Sequence, residues 1–181
     1  MASIAVFLAS RMAQQQIYHD AIDDLGQCFI QHHDTLIYGG SSEGLMGQLA
    51  RTILAQDGTV YGCIPYHLMA KEKPLDALHK LELVDNIGER IAWMARNADS
   101  FVVFPGGLGT LEEFLVLWNA LKTQQIAKPI AILNVNQYFK RFFAFIDDMI
   151  AHGFLEGKWK DALLIEKEPQ ILWSKLQAQL R

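Results

Sequence analysis

Short runs of β-branched and apolar residues alternate along this chain with longer segments whose apolar positions recur at helical spacing. Ile4–Leu8, Thr35–Tyr38, Thr59–Ile64, Leu81–Val84, Ser100–Phe104 and Pro129–Leu133 read as strands, and the tail contains a further short run, Ala162–Ile165. Gln14–Gln31, Gly44–Gln56, Gly88–Asn97, Thr110–Thr123 and Gln137–His152 read as helices, and a last helix starts near Pro169. Within Thr110–Thr123, the residues Leu111, Phe114, Leu115, Trp118 and Leu121 fall on one stripe. Pro74 breaks the segment Tyr66–Leu78, which reads as a loop holding a short helix.

Strand–helix alternation of this kind implies a mostly parallel sheet flanked by helices on both faces. Right-handed crossovers make it an α/β, doubly wound, Rossmann-like fold. No repeat, low-complexity tract or linker interrupts the 181 residues, so one domain spanning 1–181 is expected. In such sheets ligands sit beyond the carboxyl ends of the strands, near the switch in strand order. Two glycine turns, Gly39-Gly40 and Gly106-Gly107, each follow a strand and fall on that edge.

Composition narrows the function classes. A formal charge of −4, with no Lys/Arg run, argues against a nucleic-acid partner. No apolar segment approaches the ~20 residues of a membrane span. The N-terminal stretch lacks a basic region and reads as a buried first strand rather than a leader. Cys28 and Cys63 fall in different elements, which suits a reduced, cytoplasmic protein. The histidines and cysteines show no metal-ligand spacing, so no metal is expected.

The densest chemistry lies in Phe104-Pro-Gly-Gly-Leu-Gly-Thr-Leu-Glu-Glu113. A strand that ends in glycines and feeds a helix aims unpaired backbone N–H groups at one point, where an anion such as phosphate is favoured. The loop lacks the Gly-Lys-Ser/Thr ending of a triphosphate-binding loop, and the dinucleotide pattern is absent after the first strand. Two carboxylates beside an anion site need a reason. One reading is a capping box, with Thr110 at the N-cap and Glu113 returning to its backbone. The other is catalysis next to a bound phosphate.

Several segments together resemble the LOG ("Lonely Guy") family of phosphoribohydrolases, whose members older usage often called lysine decarboxylases. The string P-G-G-x-G-T-x-x-E is intact at 105–113, and Gly39-Gly-Ser-Ser-Glu-Gly-Leu-Met-Gly47 resembles the family's G-G-G-S-x-G-L-M-G. Ile64-Pro65, Leu68-Met69 and Glu72 match I-P-x-x-L-M-x-x-E. Glu89-Arg90 matches the end of M-H-E-R-K, continued by Met94-Ala-Arg-Asn-Ala-Asp99. The departures are Ala9 and Arg11 around Ser10 in the first loop, Ser41, Gly88, Ile91 and Asn119.

The resemblance implies hydrolysis of the N-glycosidic bond of a nucleoside 5′-monophosphate, a cytokinin riboside 5′-monophosphate or AMP, to free base and ribose 5-phosphate. It implies no cofactor. Arg90 and Glu113 would be catalytic. Glu113 would stabilise the oxocarbenium-like ribose or activate water, with Glu112 beside it, and Arg90 would contact the phosphate or ribose region and hold Glu113 ionised. Ser10, Gly40, Glu72, Gly106, Gly107, Gly109 and Thr110 would contact substrate, the glycine loop through its backbone N–H groups. Large apolar residues on the helices, including Trp118, Phe142 and Phe145, together with the resemblance, point to a homodimer. One rival is a carrier that holds a phosphorylated ligand such as molybdenum cofactor without cleaving it. A second is a true decarboxylase, but no lysine for a Schiff base lies between Lys80 and Lys122.

Overall fold

The apolar runs of the central strands are buried on both faces, which selects a parallel sheet covered by helices on either side, while the two edge strands are only partly covered. The computed structural model describes residues 1–180. Its strands are β1 (Ser3–Phe7), β2 (Thr35–Tyr38), β3 (Val60–Pro65), β4 (Lys80–Val84), β5 (Ser100–Val103), β6 (Ile130–Leu133) and β7 (Leu163–Glu166). They form one seven-stranded sheet in the order β4-β3-β2-β1-β5-β6-β7, with every pairing parallel. The expected doubly wound α/β architecture is therefore present, and strand order switches between β1 and β5.

The helices are α1 (Gln16–His32), α2 (Gly44–Leu54), α3 (Ile87–Asn97), α4 (Leu108–Lys122), α5 (Lys140–Ala151), α6 (Lys158–Asp161) and α7 (Pro169–Gln179). Alternation along β1 shows how the layers divide. Ile4 and Val6 enter a core shared with α1, α2 and α7, while Ala5 and Phe7 enter a second core shared with α3, α4 and α5.

Three differences from the sequence reading have physical causes. Helix α4 starts at Leu108, with Gly107 as an extended N-cap and no capping side chain. Thr110 is thus inside the first turn and Glu113 in the second, so the capping box, one of the two readings of these residues, does not form. The same helix buries Phe114, Leu117 and Trp118 and leaves Leu115 43% exposed, so Leu115 leaves the expected core stripe. Helix α5 starts at Lys140 instead of Gln137, because Asn136 and Gln137 take left-handed conformations with φ of 49° and 57°.

Candidate active site

At the carboxyl edge of the sheet, where β1 and β5 part, lies a cavity of about 520 Å³. It is framed by the loop after β1, Gly39 after β2, Glu72, Arg90 from α3, and the first two turns of α4.

Arg90 is placed by the capping of its own helix. Asn86 accepts a hydrogen bond from the Glu89 N–H at 2.9 Å, and the Glu89 carboxylate accepts from the Asp85 N–H and the Asn86 side chain. Glu89 is consumed in this cap, and the next residue, Arg90, turns inward. Its guanidinium runs over Gly39: a Cβ at position 39 would fall 1.8 Å from an Arg90 terminal nitrogen. Arg90 is only 5% exposed. A cation so buried needs compensating charge. It donates through Nη1 to Glu72 Oε2 at 3.5 Å, and its Nε lies 3.9 Å from Glu113 Oε1. That Nε has no hydrogen-bond partner among the described residues. A buried unpaired donor beside a cavity is a group suited to a ligand.

Glu72 comes from the segment read as a loop. Its backbone N–H bonds to Leu68 O at 2.7 Å, just after a short 3-10 turn (Tyr66–Leu68). The following residues lie against the Gly39-Gly40 turn: Ser42 N–H donates to Lys73 O, Leu75 N–H donates to Gly40 O, and Ser41 bridges Pro74. Ser41 is fully buried, and its hydroxyl accepts from the Glu43 N–H. Replacing the third glycine with Ser41 therefore leaves a turn residue there and puts no side chain in the cavity.

Glu113 shares the surroundings of Arg90 and is nearly as buried. Its side chain is 12% exposed. Burial pushes its pKa up to about 7; Arg90 pulls the other way, and the neighbouring Glu72 and Glu112 add to the rise. A carboxyl group poised near neutrality within a cavity is suited to proton transfer. At the mouth of α4, Gly107 and Gly109 have no atoms within 4 Å of where a side chain would start. With no capping side chain at Gly107, the first N–H groups of the helix are left for another acceptor.

Residues 46–176 match the family described as "Possible lysine decarboxylase". Cytokinin riboside 5′-monophosphate phosphoribohydrolase LOG5 of Arabidopsis thaliana is 35% identical over 177 residues, covering 97% of this chain and 77% of that protein. The rice (Oryza sativa subsp. japonica) protein named "Probable cytokinin riboside 5′-monophosphate phosphoribohydrolase LOGL9" is 36% identical over 176 residues, covering 96% and 77%. The chain belongs to the LOG family.

Among solved structures, the molybdenum cofactor binding protein of Rippkaea orientalis superposes with a TM-score of 0.73 at 19% identity, covering 99% of this chain and 98% of that one. The molybdenum cofactor carrier protein of Chlamydomonas reinhardtii gives 0.68 at 21%, covering 99% and 97%. At such identity the likeness is one of fold. The decarboxylase in the family description finds no support in this LOG protein, because no lysine lines the cavity.

Of the residues singled out in the sequence, Ser10, Glu72, Arg90, Gly107, Gly109, Thr110 and Glu113 meet in the cavity. Gly106 lies behind the turn and lines an adjoining cavity. Gly40, with φ of 80°, packs against Ile64 behind the site, and Glu112 points to solvent. Gly39 was not chosen from the sequence, although its lack of a side chain is what admits Arg90. Its signal was adjacency to Gly40 in a turn where only one of the pair faces inward.

Proposed function

We propose that this LOG-family hydrolase cleaves the N-glycosidic bond of a nucleoside 5′-monophosphate, a cytokinin riboside 5′-monophosphate or AMP, to free base and ribose 5-phosphate. The observation that carries this reading is Arg90 set between Glu72 and Glu113, next to the uncapped start of α4. The 5′-phosphate would accept from the N–H groups of the Gly107–Thr110 turn and from the Thr110 hydroxyl. The ribose would then lie toward the carboxylates. As the bond from C1′ to the base nitrogen breaks, ionised Glu113 stabilises the developing cation and takes a proton from the water that adds to C1′. That proton replaces the sugar on the departing base. Arg90 favours the ionised Glu113, and Glu72 orients both Arg90 and the ribose hydroxyls.

Purified protein supplied with AMP and, separately, isopentenyladenosine 5′-monophosphate is expected to release free base and ribose 5-phosphate in equal amounts. Failure to cleave either sinks the reading. The fold likeness to molybdenum cofactor carriers motivates one rival, in which a phosphorylated ligand is held without turnover; tight binding with no product would favour it. We further propose that the protein works as a homodimer. Leu115, Trp118, Phe142 and Met149 line a groove between α4 and α5, and Phe145 beside them is 60% exposed. Among the described residues no helix is long and apolar enough to cross a membrane. Cys28 and Cys63 are both buried free thiols, which fits a reducing, cytoplasmic setting.

A further inference from the structure

The charges inside the main cavity are nearly matched before any substrate arrives. Arg90 is engaged by Glu72 and Glu113, and a dianionic phosphate added to that group would meet two carboxylates. One other cation, Arg11, lines the cavity. Among the described residues Arg11 forms no ion pair. It stands where the LOG pattern has a small serine.

The backbone of Arg11 is held in place. Its carbonyl accepts from Leu45 N–H at 3.4 Å, and Ala9 O accepts from Met46 N–H at 3.3 Å. Gly44, with φ of 60°, presses so closely on this loop that a Cβ there would fall 2.3 Å from the Ser10 carbonyl carbon. The loop therefore carries Arg11 at a fixed point, the rim where the main cavity meets a second cavity of about 370 Å³. Ala9, Arg11 and Gly107 line both cavities, and no acidic residue lines the second. Gly107 is the N-cap of α4. Arg11, exposed and free of any ion pair among the described residues, and the uncapped N-terminus of α4 thus border the same junction, and the second cavity adds no acid to it. The same cavity is lined by Arg90, whose buried Nε makes no hydrogen bond among the described residues.

We propose that Arg11 binds the 5′-phosphate of the substrate and is the residue by which this protein selects a phosphorylated ribose over a free nucleoside. The assignment rests on the phosphoribohydrolase reading for its substrate, but not for its test. A guanidinium at this junction supplies a charge-assisted, two-pronged contact that a serine cannot. It gives binding common to ground state and transition state, so its loss appears in KM more than in kcat.

The test uses the full chain and the variants Arg11→Ala and Arg11→Lys, with unchanged melting temperature as the control for folding. Calorimetry with ribose 5-phosphate and with ribose reads binding without turnover, and steady-state kinetics with AMP and adenosine read selection. In Arg11→Ala, ribose 5-phosphate affinity should fall about tenfold or more, as expected for losing a charged hydrogen bond. KM for AMP should rise by a similar factor, and Arg11→Lys should recover part of both. If AMP is cleaved and neither quantity changes in Arg11→Ala, the assignment is overturned while the hydrolase reading stands. If AMP is not cleaved but ribose 5-phosphate binding still depends on Arg11, the hydrolase reading fails and the assignment stands. A wild-type protein that does not bind ribose 5-phosphate overturns it.

Discussion

Arg90 Nε stands 3.9 Å from Glu113 Oε1, inside the range of an ion pair but beyond a hydrogen bond. The gap leaves both groups able to engage a third. It also leaves the charge state of Glu113 under the control of burial, with Arg90 only moderating it.

Replacing Glu113 with Gln should abolish turnover while the protein stays folded, since α4 does not use this side chain as a cap. Its effect on stability depends on pH. Glu113 holds its proton to about pH 7 in the folded state and loses it near 4.5 when unfolded. The folded state therefore binds more protons between these values, and wild-type stability falls as pH rises through that window. The variant should lack this fall and be more stable than wild type at pH 8 by on the order of 1–3 kcal/mol. Thermal melts at pH 5 and pH 8 measure it; identical profiles for both proteins would contradict the buried carboxyl.

Activity should rise with pH along an acid limb centred near 7, because the proposed mechanism needs Glu113 ionised to meet the developing cation. Arg90→Gln removes the favourable charge, so any remaining activity should have its limb moved above 7. A pH profile of kcat/KM for both proteins checks this, and a limb that stays fixed would detach Glu113 from Arg90.

Gly39→Ala and Gly107→Ala should differ sharply. A methyl group at 39 displaces the Arg90 guanidinium, whereas one at 107 meets open space. The first should lower kcat/KM by about a hundredfold or more, as misplacement of a catalytic group does. The second should leave the melting temperature close to wild type. Gly40→Ala, at a positive φ and against Ile64, should cost roughly 1–3 kcal/mol of stability without touching the cavity.

Phe145→Glu should shift the protein to monomer in light scattering if the α4–α5 groove is the contact between copies. A dimer that persists would place that contact elsewhere. Phe154, 78% exposed at the same groove, offers a second position for the same substitution.

The strands were legible because a run buried on both faces carries its signal in every residue, as in Phe101–Val103. The start of α4 was not, since composition favours Thr110 as a cap while the backbone already turns helical after Gly107. Glu72 sits in Lys71-Glu-Lys73, a string that reads as an exposed charge cluster unless the Leu68-Met69 pattern before it is noticed. Leu115 looked like core because its neighbours are core; the helix is apolar around more of its circumference than one face of the sheet can cover. Chemistry was legible where a motif is contiguous. Where the site depends on which of two adjacent glycines faces inward, only the folded backbone decides.

The segment bearing Glu72 is laced to the Gly39-Gly40 turn by Ser42, Leu75 and the Ser41–Pro74 bridge, and that same turn provides Gly39 as the floor beneath Arg90. Acid and floor are thus parts of one mechanical piece. In the proposed mechanism a ligand held by Glu72 would therefore bear on the bed of the arginine as well, and through Arg90 on Glu113.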